Sequence, residues 1–241
     1  MADLIAEVAA RGEQPSQHAV AVRSMFDRIS PTYDLLNRVM SAGIDRRWRA
    51  RALDVLGQEL PDGPLLDSCA GTLDLAQALE ARFAARQVVA ADFSREMLVK
   101  GKTKVRCVPL TVGDSMRLPF ADAAFAGMTC SFGIRNLSDP AQGLREALRV
   151  LKPGGALVVL EFFRPATPLM RLFHATFARF MLPALGFLIS RDREAYGYLA
   201  RSMQGFYSRA EFAQLGLDAG FSRVESEDLS FGIASLIRWV K

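Results

Sequence analysis

From Val20 onward apolar residues recur at helical spacing: Val22, Met25, Phe26 and Ile29 form one stripe, Ser30-Pro31 interrupts it, and Leu35, Leu36, Val39 and Met40 resume it before Gly43. A further helix over 45–56 turns Trp48, Ala52, Val55 and Leu56 inward. Pro61, Gly63 and Pro64 then break the rhythm, and short apolar runs begin to alternate with helical stripes. The pattern predicts strand 65–69, helix 74–85, strand 87–91, helix 95–102 and a strand near 108–112. It continues with strand 125–131, helix 140–151 and, after the turn Lys152-Pro153-Gly154-Gly155, strand 156–162. Such alternation predicts an α/β fold with a doubly wound, mostly parallel sheet.

Residues 164–200 depart from it, being rich in Leu, Phe and Met with single arginines, and read as one or two inserted helices. The chain closes with helix 208–219 and strands 222–229 and 233–240. Only Ser230-Phe231-Gly232 separates those strands, so they are expected to be antiparallel neighbours. The leader up to Gln17 is polar and alanine-rich and reads as mobile or loosely helical. We expect a single domain: a helical cover over 1–60, a core over 61–163, the insert over 164–200 and a closing unit over 201–241.

Composition narrows the classes. At 241 residues, half of them hydrophobic, the chain can bury an ample core. The net charge of +4 is scattered except at Arg46, Arg47, Arg49 and Arg51, which read as a solvated helix face, so no nucleic-acid partner is expected. Cys69, Cys107 and Cys130 lie in or near apolar runs without metal-ligand spacing and read as reduced core thiols. No secretory leader opens the sequence, and the apolar run 180–189 contains Pro183 and Gly186 and is too short to cross a bilayer; a cytoplasmic location follows as the expectation.

The chemistry concentrates at Leu65-Leu66-Asp67-Ser68-Cys69-Ala70-Gly71-Thr72-Leu73-Asp74, a buried strand running into a glycine turn and a helix. The next strand ends in Asp92. In nucleotide-binding α/β folds an acid at that tip takes ribose hydroxyls; the plainer reading makes Asp92 a cap for the following helix. The dinucleotide fingerprint is absent, since only Gly71 of its three glycines is present. Ligands of such sheets sit beyond the carboxyl ends of the strands, here Cys69 to Leu73, Asp92, Gly113 to Ser115, Ser131 to Asn136, and Glu161.

Several segments together resemble the ubiquinone/menaquinone biosynthesis C-methyltransferases, which are class I enzymes using S-adenosylmethionine (SAM). The carriers are Phe26-Asp27-Arg28-Ile29-Ser30-Pro31-Thr32-Tyr33-Asp34, Gly71-Thr72-Leu73-Asp74, Gly113-Asp114, Ser131-Phe132-Gly133-Ile134-Arg135-Asn136, Leu160-Glu161-Phe162 and Tyr196-Gly197-Tyr198-Leu199. The resemblance implies SAM contacts at Gly71 and Thr72 in the loop, Asp92 on the ribose, Asp114 and Ser115 beside the adenine, and Ser131 near the methionine end. It also implies Tyr33, Arg135 and Asn136 as catalytic groups acting on a polyprenylated quinol. A demethylmenaquinol is favoured over a benzoquinol. A methyltransferase of a soluble aromatic, or a SAM-binding scaffold without catalysis, is the alternative.

One departure stands out: where the family has Gly-Thr-Gly-Asp this chain has Leu73, which is expected to lie in the first helical turn with negative φ. For the insert, Leu169, Met170, Leu172, Phe173, Phe177, Phe180, Met181 and Leu185 suggest a greasy lid. Arg164, Arg171 and Arg179 would then reach lipid headgroups in a peripheral membrane contact. Sheet packing or a homodimer interface is the competing use of the same residues.

Overall fold

Leu65–Ser68 (β2) is buried at every position because it lies in the middle of the sheet, with Val88–Asp92 (β3) on one side and Phe125–Ser131 (β5) on the other. That position demands burial on both faces, which Leu65 and Leu66 meet directly and Asp67 and Ser68 meet through hydrogen bonds with Thr129 and Ser115. In a computed structural model, residues 5–7, 17–165, 170, 171, 176 and 193–241 are described. The remaining strands are β1 (Ile5–Glu7), β4 (Leu110–Val112), β6 (Leu151–Glu161), β7 (Arg223–Leu229) and β8 (Ala234–Val240). They build one eight-stranded sheet in the order β1-β4-β3-β2-β5-β6-β8-β7, parallel except for the β6–β8 and β8–β7 pairs. Strand order reverses between β2 and β5, which opens a crevice at their carboxyl ends.

The helices are α1 (Gln17–Ile29), α2 (Tyr33–Met40), α3 (Asp45–Leu56), α4 (Asp74–Arg82), α5 (Arg95–Gly101), α6 (Pro140–Val150), α7 (Arg193–Gly205) and α8 (Arg209–Asp218). Side chains alternate across the sheet. Leu65 and Val158 join Leu53, Leu56 and Leu79 of α3 and α4 on one face. Leu66 and Leu157 join Leu144 and Phe212 of α6 and α8 on the other. A third cluster, Met25, Ile29, Leu36, Met97 and Ala195, locks α1 and α2 against α5 and α7 across the carboxyl ends of the strands. The helical cover is thereby fixed over the crevice.

Three expectations change. Ile5–Glu7 of the leader is an edge strand parallel to β4, not helix. The turn expected at Lys152 to Gly155 is instead absorbed into β6, whose register against β5 jumps from Phe125↔Leu151 to Gly127↔Ala156. Gly154, at φ +74°, makes that bulge possible, and its amide donates to the Lys241 carbonyl at 3.0 Å. Cys107 is exposed, whereas Cys130 is buried and Cys69 half-buried. Of the insert, α7 is a helix as expected, while Leu169, Leu172, Phe173, Phe177, Arg179, Phe180, Met181 and Leu185 lie outside the described residues.

Candidate active site

The turn after β2 is sharper than its sequence advertises. Cys69, Gly71 and Leu73 all adopt left-handed φ, at 52°, 53° and 67°. Leu73 therefore precedes α4 rather than joining it, which corrects the expectation of a helical φ. A non-glycine residue there costs ~1–2 kcal/mol. The Leu73 side chain is fully buried among Leu75, Ala76, Leu79 and Leu98, and burial of a leucine contributes ~1.5–3 kcal/mol. Burial thus offsets the strain, and Gly101 leaves the room: a Cβ there would lie 2.8 Å from Leu73 Cγ.

The folded loop aims its amides at Asp92. Gly71 N donates to Asp92 Oδ2 at 2.8 Å and Ser94 N to Oδ1 at 2.8 Å. Burial pushes the Asp92 carboxyl up to about 6, against the two amides and with help from the nearby Asp27 charge. Asp92 thus ties the loop to the start of α5, but the cap of that helix is Ser94, whose Oγ accepts from Met97 N at 3.2 Å. The cover is tied to the same region, since Ser94 Oγ donates to Asp27 Oδ1 at 2.5 Å and Thr72 Oγ1 to Asp34 Oδ1 at 2.5 Å. The Thr72 hydroxyl is thus committed to α2.

Three connected cavities follow the crevice. The first is bounded by Asp92, Asp114, Ser115 and Ser131, with a volume of about 60 Å³. Asp114 Oδ1 accepts from Met116 N at 2.9 Å, while Ser115 Oγ is shared with Ser68 Oγ at 2.7 Å and Cys69 Sγ at 3.2 Å. The second, about 30 Å³, is lined by Arg49, Asp67, Thr72, Ser131 and Tyr33. Arg49 Nε, Asp67 Oδ2 and Ser131 Oγ are buried around it without a hydrogen-bond partner. Asp67 rises to about 7 through burial, although Thr129 Oγ1 donates to its other oxygen at 2.8 Å. A guanidinium Nε, a carboxyl oxygen and a hydroxyl left without partners in one place fit a zwitterion, with Arg49 Nη1 already paired to Asp74 and Asp45.

The third cavity is larger, about 180 Å³, and lies under the cover. Trp48, Phe132 and Phe162 form its aromatic wall, with ring centroids 4.6–6.3 Å apart. Its polar lining includes Tyr33, Arg135, Asn136 and Tyr198, together with Asn37, Ser41, Asp45 and Arg49 from the cover. Arg135 Nη1 donates to Glu161 Oε1 at 2.6 Å and to the Phe132 carbonyl at 2.7 Å. Tyr198 OH donates to Asn136 Oδ1 at 3.2 Å. Burial raises Tyr33, Tyr198 and Glu161 above their ordinary values.

The expected site residues Tyr33, Thr72, Asp92, Asp114, Ser115, Ser131, Arg135 and Asn136 line these cavities, and Gly71 lies in the adjoining loop. Tyr33 and Phe132 border all three cavities and stand where the first two meet the third. Sequence reasoning missed Arg49, Asp67, Trp48 and Tyr198. Arg49 was read with its neighbours as solvated, yet it turns inward to Asp74 at 2.8 Å and Asp45 at 3.2 Å. The spacing of Asp45 and Arg49, one helical turn apart, was the available signal.

A doubly wound sheet closed by an antiparallel pair, with an acid at the second strand tip and an adjoining apolar chamber, defines a class I SAM-dependent methyltransferase. A SAM-dependent methyltransferase from Thermotoga maritima superposes with a TM-score of 0.66 at 21% identity, covering 90% of this chain and 98% of its own. The [4+2]-cyclase SpnF superposes at 0.62 with 22% identity, covering 91% of this chain and 79% of its own, so the fold alone leaves the reaction open. The sequence closes that gap. Residues 13–241 match the model of the ubiE/COQ5 methyltransferase family, and the chain belongs to that family. It is 41% identical to the ubiquinone/menaquinone biosynthesis C-methyltransferase of Geotalea uraniireducens over 89% of this chain and 94% of the relative. It is 41% identical to the demethylmenaquinone methyltransferase of Deinococcus radiodurans, over 91% of each chain. It is 42% identical to the same-named protein of Thermus thermophilus, over 88% of this chain and 97% of that one. The chain is accordingly a SAM-dependent C-methyltransferase.

Proposed function

We propose that this enzyme methylates a ring carbon of a polyprenylated quinol, with a demethylmenaquinol as the favoured substrate. The observation that carries this reading is the aromatic-walled cavity with the Arg135 guanidinium buried against Glu161, joined to the cofactor crevice at Tyr33 and Phe132. The relatives named demethylmenaquinone methyltransferase support the naphthoquinol.

Asp92 takes the ribose hydroxyls, Asp114 borders the adenine, and Arg49, Asp67 and Ser131 take the carboxylate and ammonium of the methionyl end. The cofactor, when bound there, supplies an electrophilic methyl group on a sulfonium. The chain's own residues make the ring carbon nucleophilic and remove its proton. Arg135 stabilises the phenolate left when the quinol hydroxyl ionises, so that electron density moves into the ring. Asn136 and Tyr33, with Tyr198 behind Asn136, hold the ring and a water that carries the displaced proton away. Trp48, Phe132 and Phe162 would exclude other water and hold the ring plane, which keeps the number of unproductive orientations low.

The test is mass spectrometry of purified protein with labelled SAM and two reduced substrates, a demethylnaphthoquinol and a methoxybenzoquinol, each with a short and a long tail. Label on the naphthoquinol carbon is expected. Equal turnover of a tail-less soluble phenol would favour the soluble-aromatic reading, and cofactor binding without any product the scaffold.

A further inference from the structure

The α2 helix is apolar on two faces. Leu36 and Met40 turn into the large cavity, while Leu35 and Val39, one turn apart, remain 55% and 43% exposed. The following turn adds Ile44 at 38%. Across the same cavity mouth stands the β7–β8 hairpin, where Ser230, Phe231 and Gly232 all hold positive φ, at 49°, 60° and 91°. Phe231 at its tip is 94% exposed. The two protrusions are joined through the cavity wall: Ile44 and Ile233 both line it, and Trp48 Nε1 donates to Ser230 Oγ at 2.9 Å. A phenylalanine held almost entirely in solvent on a strained turn gains nothing from the fold.

The helical side of this rim is basic, while Glu227 and Asp228 near the hairpin tip are paired with Arg51 and Arg209. Arg38, Arg46 and Arg47 are exposed and make no ion pair among the described residues. No acid occurs from Leu35 to Ile44. Of the basic residues expected to meet headgroups, Arg164 binds both oxygens of Glu211 at 2.7 Å and Arg171 Nε donates to the Pro165 carbonyl at 3.2 Å, while Arg179 lies outside the described residues.

We propose that Leu35, Val39 and Phe231, flanked by Arg38, Arg46 and Arg47, form a docking face for an anionic phospholipid bilayer, seated around the cavity mouth. Apolar tips enter the acyl boundary while the arginines meet headgroups, and the mouth faces the membrane. The inference rests on the quinol reading, because a polyprenyl-tailed ring is reached only from lipid.

The experiment is sedimentation of the full-length protein with phosphatidylcholine vesicles containing or lacking phosphatidylglycerol, without quinol. Wild type should bind the anionic vesicles and lose them as salt rises. The variant Leu35→Ser/Val39→Ser/Phe231→Ser should bind at least ~10-fold more weakly, and Arg38→Gln/Arg46→Gln/Arg47→Gln should lose the salt dependence. Both should retain an unchanged melting temperature and wild-type SAM binding. Undiminished vesicle binding by the serine variant, or no binding by wild type, would overturn the proposal. A wild-type dimer that becomes monomeric in the serine variant would assign the face to a second copy instead. Failure to methylate quinols with vesicle binding intact would sink the substrate reading and leave the docking face standing.

Discussion

Arg135 and Glu161 meet at 2.6 Å with both side chains almost sealed from solvent, one from the loop after β5 and the other from the last residue of β6. Parallel pairing of those strands places the two ends side by side. A buried ion pair is a poor source of stability, because desolvation cancels most of the attraction. It is an effective way to hold a guanidinium in one orientation beside an apolar chamber. Glu161 does not line the cavity, so it is a positioning residue acting through Arg135.

Arg135→Gln should lower kcat by about 100-fold while the affinity for S-adenosylhomocysteine stays within about threefold, because the guanidinium acts on the quinol side. Glu161→Gln keeps an acceptor for Nη1 and should cost about tenfold; Glu161→Ala should cost more. The double variant Arg135→Gln/Glu161→Gln should be no slower than Arg135→Gln alone, as Glu161 works only through its partner. Additive losses in single-turnover rates would give Glu161 an independent role.

Asp92 supplies a pH dependence. Burial pushes its carboxyl up to about 6, and ribose hydroxyls donate more strongly to the ionised form, so cofactor binding lowers it and releases a proton. Affinity should therefore tighten as pH rises from 5 through 6, and further through 7 as Asp67 ionises beside the ligand's ammonium, by calorimetry with S-adenosylhomocysteine. Asp92→Asn should bind about 10- to 100-fold more weakly at pH 7.5 and lose the part of this dependence near pH 6. In the free protein the sign is opposite. Asp67 and Asp92 are raised, so the folded state holds more protons than the unfolded one and stability falls as pH rises from about 4 to 7.

The alternation of strands and helices, the antiparallel closure and the strand-tip residues were legible because each follows from period and turn chemistry that neighbours in sequence dictate. Asp92 and Arg135 could be found that way. Arg49 and Asp67 could not: one sits in a run of surface-like arginines and the other inside a strand, and only the third dimension makes them share a cavity. The left-handed Leu73 was illegible for another reason, since its strain is offset by Gly101, far along the chain.

Arg49 is expected to bind the cofactor's carboxylate. Arg49→Gln should weaken S-adenosylhomocysteine by about 10- to 100-fold and leave 5′-methylthioadenosine, which lacks the amino-acid end, within about threefold. Equal losses for both ligands in competition calorimetry would show that Arg49 merely supports the loop through Asp74.

Leu73 offers a test in which two common substitutions should change places. In a helix interior alanine is more favourable than glycine by ~1 kcal/mol. At φ 67° alanine keeps the left-handed strain and glycine does not. Either change empties the fully buried leucine site, at ~2–5 kcal/mol for Leu→Ala. Leu73→Gly should therefore be the less damaging, by about 1 kcal/mol in urea unfolding. Gly101→Ala probes the same contact from the other side: its new Cβ would press on the Thr72 carbonyl and on Leu73 Cγ, so it should displace the loop and weaken cofactor binding. The pair Gly101→Ala/Leu73→Gly should recover part of that loss, because glycine removes the crowded side chain. If Leu73→Ala proves as stable as Leu73→Gly, the loop has given up its left-handed turn and the residue is helical after all.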